Sequence, residues 1–219
     1  MELFNKELME KYGCTAFEKQ LHFADIVGKM DWNVDIGKGV ISFDNKLVFP
    51  IQLLGTFSHS LDTWMWSWAN TDSEIPKGLL TYANKLKQCG IDNKIDFLTE
   101  PQFEIERDDM HYIGLVALGL GDATGCYLGS YGEGTICLTV KSRDIEEKFA
   151  DDHVSIFTVY PRLISQYEVN HKQTLVNYLN QKKYKVEIKE DELTGIRGEN
   201  SVKATFDHAG RLAHLNNRL

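Results

Sequence analysis

No stretch of this chain is long and apolar enough to cross a bilayer. The longest uncharged run surrounds Ile113–Leu120 and is broken by Gly114, Gly119 and Gly121, whereas a spanning helix needs about 20 apolar residues. The opening MELFNKELMEKYG is acidic from position 2, with no apolar block before Gly13, so no secretory signal is expected. Cysteine is sparse. Cys14, Cys89, Cys126 and Cys137 include no C-x-x-C pair, and reduced, mostly buried thiols are expected. Only Cys126 and Cys137, on opposite arms of a hairpin, are placed to face each other. These absences point to a cytoplasmic protein and no membrane. The chain holds four prolines and no Pro/Ser linker, repeat or low-complexity tract. The reading is one α+β domain over residues 1–219, with the charged stretch 144–152 as a possible sub-domain boundary.

Positive charge is also short. Lys and Arg number 24 against 32 Asp and Glu, a formal net charge of −8, which repels polyphosphate. The densest basic run, Gln181–Lys185 (QKKYK), reads as the end of a helix, where cations meet the negative pole of the dipole. Nucleic acid is therefore disfavoured as a partner. Chemical signatures are missing too. Gly119-Leu-Gly-Asp-Ala-Thr-Gly125 follows a helix and precedes a strand, the reverse of a phosphate loop, and reads as a helix-ending turn. The seven histidines form no H-x-x-x-H or H-E-x-x-H pair, so a metal would need ligands from distant segments, such as His59 with Asp62. There is no G-x-S-x-G elbow and no recognised cysteine nucleophile. The acidic clusters Asp151-Asp152 and Glu190-Asp-Glu192 read as solvated loops, and Asp207–Arg211 as a turn. No catalytic residue, metal or cofactor is assigned.

What is present is a change of hydrophobic period. Residues 3–12 read as helix, and Thr15-Ala-Phe-Glu18 matches a capping box opening a second helical signal through Phe17, Leu21, Ala24 and Val27 to a stop at Gly28. Whether Gly13 separates two helices or bends one is left open. The period then becomes two: strands at Trp32–Ile36, Val40–Phe43, Leu47–Phe57 and Leu61–Ala69 make a four-stranded antiparallel meander. Pro50 marks an edge or a bulge. A helix follows Pro76, stopping at Gly90. Next come a short strand at Gln102–Ile105, an apolar helix at Met110–Leu118, and a hairpin from Cys126–Ser130 to Thr135–Val140. Residues 144–152 read as charged and solvated, and 153–164 as either strand or helix. A helix at 168–182 and a closing β-hairpin complete an α+β fold: an antiparallel meander packed against several helices.

The densest signal is Thr63–Asn70, TWMWSWAN, with three of the four tryptophans in five positions. On a strand, alternate residues share a face, so Trp64, Trp66 and Trp68 are expected in one row. At ~150–250 Å² per ring and ~25 cal/mol per Å², burying the row is worth on the order of 10 kcal/mol before ordering entropy. Core packing is the leading reading; a partly covered row lining a ligand groove is the second. In that case His59, Asp62 and Asn70 are the bordering polar groups.

The segment LLGTFSHSLDTWMWSWAN resembles the centre of an uncharacterised bacterial domain family, whose members share a Gly-x-[YF] strand and a W-x-W-x-[WA]-N element. The ending NSVKATFDHAGRLAHL is similar to that family's closing hairpin, with its F-D-x-x-G-R-[LI] pattern. The resemblance implies one continuous architecture and supplies no activity. The functional expectation is a cytoplasmic, non-enzymatic protein-binding protein, with an immunity-type toxin neutraliser as one instance. The alternatives are a small-molecule binder, or an enzyme, with a pocket beside the tryptophan strand. Oligomeric state is unknown from sequence.

Overall fold

The longest helix, α1 (Lys6–Val27), runs unbroken through Gly13. A Cβ at that position would lie 3.2 Å from both Leu163 methyls, so glycine here serves close packing and neither ends nor divides the helix. The expected capping box at Thr15 is absent for the same reason: Thr15 sits mid-helix with its hydroxyl on Gln181. The cap is Asn5, whose Oδ1 accepts the Leu8 N–H at 3.0 Å. Gly28, at φ +52°, ends α1 as expected.

The computed structural model describes residues 3–217, and the chain divides into two compact units. The larger takes in Lys19–Ile145; the smaller joins Asn5–Glu18 to the chain from Glu146 onward.

In the larger unit the meander β1 (Trp32–Asp35), β2 (Val40–Phe43), β3 (Leu47–Ser58) and β4 (Thr63–Trp66) is extended by β5 (Gln102–Glu104). A hairpin of β6 (Gly125–Tyr131) and β7 (Gly134–Val140) joins through β3, making a seven-stranded antiparallel sheet. β3 changes partner along its length, pairing β2 over Leu47–Pro50 and β7 over Ile51–Ser58. Pro50, which cannot donate to a ladder, stands at that handover, and the bulge falls nearby between Leu53 and Gly55.

Two helices complete the unit, α2 (Thr81–Asn93) and α3 (Asp109–Leu120). Gly90 does not stop α2. A Cβ there would meet Leu98 at 2.7 Å, and the helix ends at Lys94, which takes φ 56°. Phe23, Val27, Ile41, Phe43, Leu53 and Leu138 belong to the buried core cluster.

The smaller unit contains α4 (Arg143–Asp151) from Glu146 onward, α5 (Ile156–Gln166) and α6 (His171–Gln181). The stretch expected to be a solvated connection is thus helical. So is the ambiguous one: Ile156, Val159, Tyr160 and Leu163 are buried at the i, i+3, i+4, i+7 spacing of a helix face. The closing element is larger than a hairpin. Four antiparallel strands, β8 (Lys185–Lys189), β9 (Glu192–Arg197), β10 (Asn200–Phe206) and β11 (Leu212–Asn216), lie in the order β11-β10-β9-β8.

At the centre of this unit lies an ion pair. Glu18 and Lys182 are 0% exposed and 2.8 Å apart. Tyr178 Oη donates to the Glu18 carboxylate, and Lys182 Nζ also donates to the Phe149 carbonyl at 2.6 Å. Burial pushes the Glu18 carboxyl up, and Lys182 opposes that push. Burial pulls the Lys182 ammonium down, with Glu18 holding it up. The QKKYK run ends a helix as expected, with Lys182 at the C-cap of α6, but the Lys182 ammonium is buried on the Glu18 carboxylate.

Candidate functional site

β4 is only four residues long, and this decides the fate of the tryptophan row. Trp64 and Trp66 alternate on the strand, share one face and are 0% exposed. Their rings meet edge-on at 5.3 Å, a favoured aromatic geometry. Gly55 on β3 makes room for them: a Cβ there would come 2.6 Å from the Trp64 ring and 2.4 Å from the Met65 carbonyl oxygen. Trp66 Nε1 donates to the Phe97 carbonyl at 2.8 Å, while Trp64 Nε1 is buried without a hydrogen-bond partner.

Trp68 leaves the row. The chain turns into a 3₁₀ helix at Ser67–Ala69, anchored by Ser67 Oγ donating to the Leu53 carbonyl at 2.6 Å. Strand alternation therefore stops at Trp66. Trp68 is half-buried, with Lys87 Nζ 3.8 Å from its ring centroid. Asn70 caps the 3₁₀ turn, and its Oδ1 accepts the Ser73 N–H at 3.0 Å.

His59 and Asp62 lie at the opposite end of β4, in the turn that joins it to β3. The structure thus separates the six candidate residues into two indoles in the core, Trp68 with Asn70 beyond one end of the strand, and His59 with Asp62 at the other. The latter pair forms part of a local constellation. His59 N–H donates to the Glu133 carbonyl at 2.9 Å, tying the β3–β4 turn to the β6–β7 turn. His59 Nε2 and Thr135 Oγ1 share a hydrogen bond at 2.9 Å. Asp62, at φ 48°, offers its carbonyl to the Ile105 N–H at 3.0 Å, which brings the end of β5 alongside.

Two large apolar side chains project from this linked end of the sheet: Leu61 is 66% exposed and Tyr131 50%. Asp62, Glu104, Glu106 and Glu133 are exposed beside them, and no lysine or arginine occurs in Ser58–Thr63, Gln102–Glu106 or Ser130–Thr135. The result is an apolar tip with an anionic rim. Leu61 and Tyr131 were missed from the sequence, although Leu61 is a bulky residue in a turn of small or polar ones and Tyr131 is the last residue of β6 before the Gly132–Glu133 turn.

No curated protein and no solved structure shows a match to the chain. A family model described as a family of unknown function (DUF6882) matches residues 6–143, which leaves the FDHAGRL ending outside the matched segment. That match covers more than half of the 219 residues, and the chain belongs to this family of unknown function.

Proposed function

We propose that the chain is a non-enzymatic binding protein of the bacterial cytoplasm that docks a basic segment of a protein partner on the linked turns of the larger unit. The observation that carries the reading is the exposure of Leu61 and Tyr131 on two turns joined by the His59–Glu133 hydrogen bond. An aromatic and an aliphatic anchor inside an oriented polar rim is the anatomy of an interface hot spot. Four exposed carboxylates against one adjacent cation, Arg107 beside Glu106, leave the rim net negative, which favours a basic partner and speeds its approach. His59 and Asp62 then serve by shaping the two turns. Neutralising a basic toxin domain, an immunity-type role, is one instance of such binding.

The four cysteines are free thiols, which fits a reducing compartment. The small-molecule alternative beside the tryptophan strand draws less support, because Trp64 and Trp66 offer no exposed ring face.

A photo-crosslinking side chain at position 131 tests the reading, with position 48 of the same unit as control, since Val48 is 58% exposed and away from the turns. In native lysate, position 131 is expected to capture a discrete basic protein that position 48 does not. Asp62→Lys with Glu133→Lys should abolish the capture. Equal capture at both positions, or capture indifferent to charge reversal, overturns it.

A further inference from the structure

A second feature of the larger unit has the build of a ligand site and shares no residue with the linked turns. It is a cleft of about 310 Å³ lined by residues of β3, α2, the α3–β6 turn and β7. Small-molecule sites are concave, mostly apolar and begin near ~300 Å³. The floor and walls are Ile51, Tyr82, Ala123 and Val140, all buried.

These walls are held before any ligand arrives. Gln52 clamps the start of α2 to β3, its Nε2 donating to the Gly78 carbonyl at 3.0 Å and its Oε1 accepting the Tyr82 N–H at 3.0 Å. Tyr82 Oη donates to the Ala117 carbonyl at 2.6 Å, which fixes the ring. A cleft with both its polar clamp and its aromatic wall already satisfied loses little conformational freedom on binding.

The rim carries charge. Lys85 comes from α2, Lys141 from the end of β7 and Asp122 from the turn after α3. Lys141 Nζ and the Asp122 carboxylate are 2.7 Å apart, with side chains 54% and 61% exposed. An ion pair this open is weak and exchanges partners readily. Lys85 is exposed and has no salt-bridge partner among the described residues. Lys85 therefore sets an unbridged ammonium group at the rim of an apolar floor, beside the open Lys141–Asp122 pair.

We propose that this cleft binds a small amphipathic monocarboxylate, its apolar body on Ile51, Tyr82 and Val140 and its carboxylate between Lys85 and Lys141. The rim excludes two neighbouring classes. A neutral apolar molecule leaves the Lys85 ammonium unanswered, and a multiply charged phosphate meets the Asp122 carboxylate on the same rim. The inference is independent of the protein-docking reading, since the two surfaces use different residues.

The test uses the full chain and 2-naphthoate as probe, followed through backbone amide shifts, with neutral 2-naphthalenemethanol and inorganic phosphate as comparisons. Naphthoate is expected to shift the amides of Gln52, Tyr82 and Lys141 saturably. Lys85→Gln should weaken it about tenfold, the scale of one lost charge-assisted contact, and Asp122→Asn should tighten it. All three rim residues are surface groups, and unchanged thermal midpoints confirm that the variants fold. Equal affinity for the neutral alcohol, saturable phosphate binding of greater strength, or shifts that map elsewhere each overturn the proposal.

Discussion

The two units bury different things at their centres. In the larger one the fully buried large side chains are aromatic and aliphatic: Trp64, Trp66, Phe23, Phe43, Phe57, Phe97, Ile41 and Leu54. In the smaller one Tyr160 and Tyr178 share that depth with Lys182 and its partner Glu18. The first kind of core is governed by volume, because apolar contacts are short-ranged and close-packed. The second packs apolar side chains such as Leu163, Leu175 and Leu179 as well, but adds a charge balance, because an ion removed from water must find its whole compensation within the protein. The two should therefore fail under different substitutions.

Removing one partner of the ion pair is the harshest way to break that contrast. Glu18→Ala or Lys182→Ala is expected to cost about 3–5 kcal/mol, because the remaining charge is left buried and unanswered. Replacing both together, Glu18→Gln with Lys182→Met, should recover most of that loss. Urea unfolding of the three variants checks this. A double variant as unstable as the singles would show that packing, not charge balance, holds this core.

The larger unit should answer to a methyl group. Gly55→Ala places a Cβ against a backbone carbonyl oxygen and an indole ring, neither of which yields easily, and should cost about 1–3 kcal/mol. Gly78→Ala, with nothing within 4 Å of its added Cβ, should stay within about 0.5 kcal/mol of the parent. Thermal denaturation of the pair gives the comparison, and equal effects would remove steric fit as the explanation.

A finer contrast lies between the two buried indoles. Trp66→Phe leaves the Phe97 carbonyl without its donor, whereas Trp64→Phe discards an N–H that has no partner. The first should be about 1 kcal/mol more destabilising than the second, readable from chemical denaturation followed by circular dichroism.

The smallest effect concerns acid. His171 Nδ1 accepts the Leu212 N–H at 3.0 Å, a bond that needs an unprotonated nitrogen. Burial, helped by Arg211 and opposed by Asp207, holds the His171 pKa below its ordinary value. Burial, with the cations of Arg197 and Lys182, does the same at His153, where Asp152 opposes. The unfolded chain takes up these protons near pH ~6.5, the folded chain only lower. Stability present above that pH is therefore lost as the pH falls through the folded values. The protection factor of the Leu212 amide, its exchange corrected for the intrinsic pH dependence, should fall over this window, and His171→Gln should flatten the dependence. An unchanged profile in that variant would show that acid acts elsewhere.

Much of the fold was legible locally. The period-two pattern from Trp32 to Phe57, the stop at Gly28 and the hairpin through Tyr131–Gly134 depend on neighbours in sequence, and all are present. The helix at Ile156–Gln166 was legible in part: its i, i+3, i+4, i+7 apolar spacing was available, but the β-branched residues favoured a strand, which Pro161 interrupts. Of the candidate site, His59 and Asp62 were singled out from sequence, while Leu61, Tyr131 and Glu133 were not.

What the sequence determined alone was whatever periodicity and turn chemistry encode: element types, the antiparallel meander and the shared face of Trp64 and Trp66. Only the tertiary structure decided where β4 ends and Trp68 turns away, why Gly13 and Gly90 sit inside helices, and that Lys182 is buried against a carboxylate 164 positions away. Those outcomes depend on which surfaces meet across large sequence separations. A lysine or a glycine reads the same in sequence whether it faces water or another helix.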